Sequence, residues 1–185
     1  MDPCQHLKSD SGSSPFRLVS QRLGPLPLIN HILDQLGLAA VLERFIPTLD
    51  GRCRLRYSKA LGVLVRSLLV EREPLYRHED LVRQYGPQAF DLSTEESHRL
   101  GDDALGRALE QLFLADRSAL LTEIVVRMTR RYGLALDELH NDSTTIRFCG
   151  QYRCAKGRTI RGKQALHITY GFSKDHRPDL KQLLW

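Results

Sequence analysis

One carboxylate, Asp142, stands in a stretch whose residue types are typical of a β-strand. Residues Leu139 to Ile146 alternate along the chain and are rich in threonine and isoleucine, which favours a strand. Cleavage of a phosphodiester by two metal ions needs carboxylates on a rigid mount, and Mg²⁺ or Mn²⁺ prefers such oxygen ligands. Asp142 is therefore a candidate catalytic residue and metal ligand. Taken alone, an aspartate that bonds neighbouring backbone or faces solvent is the simpler interpretation.

Positive charge is concentrated in the segment that follows Asp142. The whole chain carries a net charge of +5, whereas residues 143–174 carry +7 and contain no Asp or Glu, so the rest is net −2. A local basic stretch is typical of a surface that binds phosphates, although a solvated loop rich in Lys and Arg fits equally well. The candidate DNA-binding cations of this segment are Arg147, Arg153, Lys156, Arg158, Arg161, Lys163 and Lys174.

A second polar block, Ser173–Asp179, interleaves cations with two aspartates. Lys174, His176 and Arg177 in this block are candidates for contacts to DNA phosphates beside a metal site. The alternative is a salt-bridged turn between two strands, in which Pro178 sets the geometry. The sequence favours neither.

Composition excludes several other classes of protein. The 42% of hydrophobic residues suffices for a core, and no apolar run approaches the ~20 residues that span a bilayer. Residues 1–14 lack the apolar core of a signal peptide, so we expect a cytoplasmic protein that does not contact membranes. The four cysteines form no Cys-x-x-Cys pair and fit reduced thiols better than disulfides or a zinc site.

Helical periodicity dominates residues 22–133, after a loose polar tail at 1–21. We expect two short helices between Leu26 and Ile46, broken at Gly37, and a helix from a Ser58 cap to about Glu71. Further helices are predicted near 75–85, after Asp102-Asp103, and over 117–132 with Gly133 as its stop. The apolar positions expected to face inward in the third and last of these helices are Leu61, Leu64, Val65, Leu68, Leu69, Leu120, Leu121, Ile124, Val125 and Met128.

After Gly133 the period changes from helix to strand. Strands are predicted around Asp142, over 165–172 and from Leu180 onward, with a loop or hairpin over 150–162. The expected fold class is α+β, in which an all-helical N-terminal domain (22–133) precedes the opening of a β-sheet domain (134–185).

The order of these elements and three sequence blocks resemble bacterial insertion-sequence transposases with an RNase H-like Asp-Asp-Glu catalytic domain. The blocks are Asp102–Leu109, His140–Thr145 and the longer, more specific Gly171–Gln182. The resemblance covers roughly residues 24–185. It implies an RNase H-like α/β domain after residue 133, DNA at element ends as the partner, and Mg²⁺ or Mn²⁺ as the cofactor of the full-length parent.

On this resemblance Asp142 corresponds to the first aspartate of the triad. The second aspartate and the glutamate have no counterpart, because the only later carboxylate side chains are Asp175 and Asp179, inside the block that precedes the second aspartate in the family. The chain ends within an apolar run that we expect to be a strand. We therefore expect a truncated transposase whose RNase H-like domain is incomplete at the C-terminus, inactive alone.

Two other functions fit the same sequence. A non-catalytic helical module could bind DNA or oligomerise through its helices, and the strands would then be a remnant. The basic loop could instead bind a protein partner. The sequence leaves open whether the chain forms a homodimer.

Overall fold

Helices account for most of the structure, a computed structural model that describes residues 20–51, 53–137, 145–148, 152, 157–170 and 179–184. Within these residues there are seven α-helices, two short 3₁₀ helices and four short strands in antiparallel pairs. No helix in this part of the chain combines the length and apolarity that crossing a bilayer requires. The mostly helical character and the change to strands near the C-terminus agree with the sequence.

The first two helices, α1 (Leu26–Leu36) and α2 (Leu38–Phe45), meet at a single residue, Gly37. Gly37 has φ +62°, which glycine adopts without the clash that a Cβ brings. Its missing side chain also leaves room for Arg127, because a Cβ here would lie 2.7 Å from Arg127 Nη1. The predicted break at Gly37 is confirmed.

The third helix, α3, spans Tyr57–Val70, so the Ser58 cap predicted from the sequence is wrong. Ser58 lies inside the first turn, where it is buried and its hydroxyl donates to Glu43. The Tyr57 amide instead donates to the Thr48 hydroxyl at 2.9 Å. The Thr48 hydroxyl, nine residues upstream, thus accepts from an amide at the start of α3. A contact over this distance in the sequence is not predicted by local patterns.

Between α3 and the last two helices the chain forms four short helices. A 3₁₀ helix (Leu75–Arg77) runs into α4 (His78–Tyr85), and a second one (Pro87–Phe90) precedes α5 (Thr94–Ser97). The start of α5 is a capping box formed by Ser93 and Glu96. Burial opposes ionisation of Glu96, but hydrogen bonds from Lys59 and Ser93 hold its pKa below the ordinary value.

The two long helices that follow begin and end close to where the sequence places them. The first is α6 (Asp102–Leu114), whose Leu105 and Ala108 are buried as expected. The second is α7 (Arg117–Tyr132), in which Asp116 caps the start by accepting from the Ala119 amide at 3.0 Å.

Burial on α3 and α7 differs from the prediction. Leu68 is 62% exposed and Leu121 60%, although both belong to the stripes expected to face inward. Leu69, Val125 and Met128 are exposed as well. The described helices pack against only one side of each apolar stripe. The residues on the other side of the stripe have the spacing of buried residues but no described helix covers them.

The strands form two separate antiparallel pairs. β1 (Thr145–Phe148) pairs with β4 (Lys181–Leu184), and β2 (Thr159–Ile160) forms a hairpin with β3 (Lys163–Gln164). The predicted continuous strand over 165–172 is wrong in its described part. There only isolated bridges occur, at His167 and Thr169, and 171–172 lie outside the described residues.

Candidate nucleic-acid interface

The strand expected to carry Asp142 is described from Thr145 onward. Asp142 itself lies outside the described residues, as do Arg153, Lys156, Lys174, His176 and Arg177. For Arg147 the structure places the backbone in β1, opposite Gln182 of β4. Of the cations predicted to bind DNA, the structure describes the side chains of Arg158, Arg161 and Lys163.

These three cations lie on or beside the β2–β3 hairpin, and their surroundings differ. The turn of the hairpin holds Arg161 at φ +50° and Gly162 at φ +79°, the pair of positive values that a tight two-residue turn needs. Arg158 precedes β2, and its carbonyl accepts from the Ala165 amide at 3.0 Å. The hairpin thus presents several cations over six residues.

Arg158 is exposed, and among the described residues its guanidinium has no hydrogen-bond or ion-pair partner. Arg161 is also exposed, but it forms an ion pair of 2.7 Å with Glu110 of α6. Surface pairs of this kind contribute little stability and exchange readily with other anions. Arg158 is therefore the cation of this hairpin that is most available to a phosphate.

Lys163 has a structural role that the charge pattern did not reveal. Its ammonium donates to the carbonyls of Phe113 at 3.1 Å and Ala115 at 2.7 Å, at the C-terminal end of α6. Carbonyls at the end of a helix lack partners within the helix and carry partial negative charge. Lys163 thus caps α6 and fixes the hairpin to the helical region.

We expect Lys163→Met to lower the free energy of unfolding by about 1 kcal/mol, because charged hydrogen bonds to terminal carbonyls are lost. Urea denaturation followed by circular dichroism measures the change. The matched control is Arg158→Met, which removes the same charge from the same hairpin and should change stability by less than about 0.5 kcal/mol. Equal effects of the two substitutions would contradict the capping role.

The arginines at the end of α7 are likewise engaged with the protein. Arg127 donates to Glu123 at 2.8 Å and to the Leu36 carbonyl at 3.2 Å, and Arg131 donates to Gln35 at 3.3 Å. The hydrogen bond from Arg127 holds the pKa of Glu123 below its ordinary value. These side chains join α7 to α1 and leave little for an outside phosphate.

A second group of available cations lies near the start of α3, outside the basic segment 143–174. Arg54 and Arg56 precede the helix and are exposed, as is Arg107 on α6. Burial raises the pKa of Tyr57, and Arg107 lies close enough to oppose that rise. No acidic side chain in the described part of the chain pairs with Arg54, Arg56 or Arg107.

No cluster of three or more His, Cys, Asp or Glu side chains that could hold a metal ion is present among the residues that the structure describes. The expected Mg²⁺ or Mn²⁺ site depends on Asp142, which lies outside them. The geometry of the described part therefore bears on nucleic-acid binding, through Arg158 and the group at the start of α3, rather than on catalysis.

Comparison with known proteins gave one match. Residues 18–126, more than half of the chain, match the family described as Domain of unknown function (DUF4277). The match begins before α1 and extends into α7, so it covers most of the predicted helical domain. Neither the curated proteins nor the solved structures contain a match. The chain belongs to the DUF4277 family.

Proposed function

We propose that this chain is the DNA-binding N-terminal part of an insertion-sequence transposase, with Asp142 as the first carboxylate of its metal site. The observation that carries the proposal is the pairing of β1 with β4. β1 begins three residues after Asp142, and β4 begins two residues after the Ser173–Asp179 block. Two of the three blocks that carry the resemblance, His140–Thr145 and Gly171–Gln182, therefore lead into neighbouring strands of one antiparallel pair.

The resemblance implies that an RNase H-like sheet begins at these two blocks, and the pairing of β1 with β4 supports this. A carboxylate beside a paired strand is held more rigidly than one in a loop, and a two-metal site depends on that rigidity. In this proposal Asp142 would be one ligand of a Mg²⁺ or Mn²⁺ ion. The second aspartate and the glutamate of the triad would supply the other carboxylate ligands. Asp175 and Asp179 are the only later ones in this sequence, so we expect this chain alone to bind DNA without cutting it.

The exposed cations that pair with no acidic side chain among the described residues supply the expected DNA contacts. Arg158 on the hairpin and the group Arg54, Arg56 and Arg107 near α3 each offer a guanidinium to a phosphate. Arginine suits this role because its planar fork matches two phosphate oxygens. Arg161 can join them by exchanging Glu110 for a phosphate, whereas Lys163 is held by α6.

We expect the full chain to bind a short mixed-sequence duplex with an affinity that falls steeply with salt. Arg158→Ala should weaken binding several-fold and reduce the slope of log K against log salt by about 0.9, the loss of one phosphate contact. Fluorescence anisotropy across a salt series measures both quantities. The matched control is Arg83→Ala, which removes an exposed charge already paired with Glu79 and Asp80 on α4.

No retention of duplex at low salt would overturn the DNA-binding part of the proposal, and an equal loss on Arg83→Ala and Arg158→Ala would remove Arg158 from the contact. A separate assay addresses catalysis. Incubation with Mn²⁺ and a supercoiled plasmid should give no nicked product above background. Nicking that Asp142→Asn abolishes would show instead that this chain completes a metal site.

The second candidate function is a non-catalytic helical DNA-binding module. It is favoured by the extent of the family match, which ends at residue 126, before the strands. In that case the triple substitution of Arg54, Arg56 and Arg107 by alanine would remove most of the affinity, and Arg158→Ala would change little. The reverse pattern would place the contact on the hairpin.

A further inference from the structure

An open apolar groove of about 500 Å³ is lined by residues of α2, α3, α6 and α7. Its walls are mostly leucine and isoleucine side chains at positions whose spacing predicts burial, among them Leu64, Leu68, Leu109, Leu112, Leu121 and Ile124. Leu68 on α3 and Leu121 on α7 are each more than half exposed. The groove is thus a part of the hydrophobic interior that the described helices leave uncovered.

The floor of the groove offers nothing to a polar ligand. Ser67 and His78 line it, but the Ser67 hydroxyl and His78 Nε2 lie 2.8 Å apart in a hydrogen bond. His78 Nδ1 is 3.0 Å from the Pro74 carbonyl, which can only accept, so this nitrogen donates. Both polar side chains are satisfied within the protein, and an occupant of the groove must be apolar.

The apolar surface continues from the groove along α7. Val125, Met128 and Tyr132 follow Leu121 at intervals of four, three and four residues, so they extend one face of the helix, and all three are exposed. The chain therefore carries an apolar groove and, joined to it, an apolar helical ridge.

We propose that a second copy of this chain covers the groove and the ridge, in a symmetric dimer formed by α3, α6 and α7. In a two-fold interface the same patch serves both partners, so each copy can place its α7 ridge against the other's groove. The charged side chains that line the groove are of opposite sign. Glu73 forms an ion pair of 3.7 Å with the exposed Arg77, and Arg117 lies over the Phe113 ring. A second copy can therefore bring its Arg117 to Glu73 by exchanging a weak surface contact. A nucleic acid, by contrast, would need cations here.

The available area matches what a dimer needs. The exposed parts of Leu68, Leu109, Leu121 and the three ridge residues amount to roughly 500 Å² of apolar surface. A standard interface buries ~800 Å² per partner, of which roughly 60% is apolar, and that share is also close to 500 Å². A patch of this size lies in the range of about 300–600 Å² that the largest apolar patches of proteins reach, and such patches often serve a function.

Sedimentation velocity of the full chain over a range of micromolar concentrations tests the dimer. We expect a concentration-dependent dimer. Leu121→Glu should raise the dissociation constant of this dimer by at least about 100-fold, because the two-fold symmetry would bury two unpaired carboxylates in each dimer. The matched control is Leu28→Glu, the same change on α1, where Leu28 is similarly exposed but lies outside the groove. Circular dichroism should show that both variants remain folded.

Hydrogen exchange supplies a second measurement. Amides of α7 should become more protected as the concentration of the full chain rises, and this gain should vanish in Leu121→Glu. A chain that stays monomeric at every concentration would overturn the proposal. So would a dimer that Leu121→Glu leaves intact, or one that Leu28→Glu weakens equally, since each places any self-association on another surface. None of these outcomes depends on whether the chain binds DNA.

Discussion

Replacing Phe90 by alanine is expected to lower the free energy of unfolding by about 3–5 kcal/mol, the usual cost of deleting a buried aromatic ring. Phe90 is 1% exposed, and its ring meets the edge of Tyr85 with centroids 6.1 Å apart and planes at 80°. The 3₁₀ helix that carries it, Pro87–Phe90, contacts α1, α3, α4 and α5. Loss of the ring therefore opens a cavity shared by four helices.

Urea denaturation of the full chain measures the change, and Phe90→Leu should restore more than half of it by refilling most of the volume. The control is Tyr76→Ala on the neighbouring 3₁₀ helix, because Tyr76 is 70% exposed and its loss should change stability by less than about 0.5 kcal/mol. If Phe90→Ala were as mild as Tyr76→Ala, the ring could not be central to the core.

Phe90 also illustrates where sequence reasoning fails on this fold. The Gly86-Pro87 pair correctly indicates that α4 ends, but the residues after it show no period, and so nothing in them predicts a core ring. Leu100 is buried in the same way, in the turn before α6. Burial of such residues is decided by packing between distant segments, which local patterns do not record.

Helix stops at glycine were predictable from neighbouring residues, whereas the start of α3 at Tyr57 was not. Gly37 and Gly133 end helices because a left-handed residue is needed at each stop, and the backbone there has φ +62° and +59°. Periodicity was a poorer guide to burial: Leu121 has the right spacing but is exposed because the structure shows no partner over it. A period predicts which face is apolar, and only the tertiary contacts decide what covers that face.

The same distinction applies to the candidate site. Arg158 and Lys163 look alike in the sequence, as two cations five residues apart in one basic segment. The structure leaves Arg158 exposed and directs Lys163 to the end of α6, 48 residues earlier in the chain. The count of cations was therefore predictable and their availability was not. The proposed role of Asp142, which lies outside the described residues, rests on the resemblance.

Arg66→Ala is the second substitution from which we expect a large effect, a loss of about 2–3 kcal/mol of unfolding free energy. Arg66 is only 7% exposed, and its Nε donates to the Asn30 side-chain oxygen at 2.7 Å. Asn30 in turn donates to the Ala89 carbonyl at 2.9 Å. The guanidinium thus fixes an amide that joins α1 to the 3₁₀ helix of Phe90.

Charge is not the source of this effect. Burial lowers the pKa of Arg66, and Asp91 and Asp34, which oppose that change, are both exposed. Removal of the guanidinium therefore leaves no buried carboxylate without a counter-ion. The substitution instead leaves the side-chain oxygen of Asn30 without its donor. It also removes the aliphatic stem of Arg66, which is buried in the protein.

A double-mutant cycle separates these contributions. If the hydrogen bond between Arg66 and Asn30 matters, the unfolding free energies of Arg66→Ala and Asn30→Ala should fall short of additivity by about 1 kcal/mol or more in the double variant. Arg72→Ala, which removes an exposed arginine just beyond α3, is the matched control and should be close to neutral. Strict additivity in the cycle would mean that Arg66 stabilises the fold by packing alone, and that the amide of Asn30 is held by other contacts.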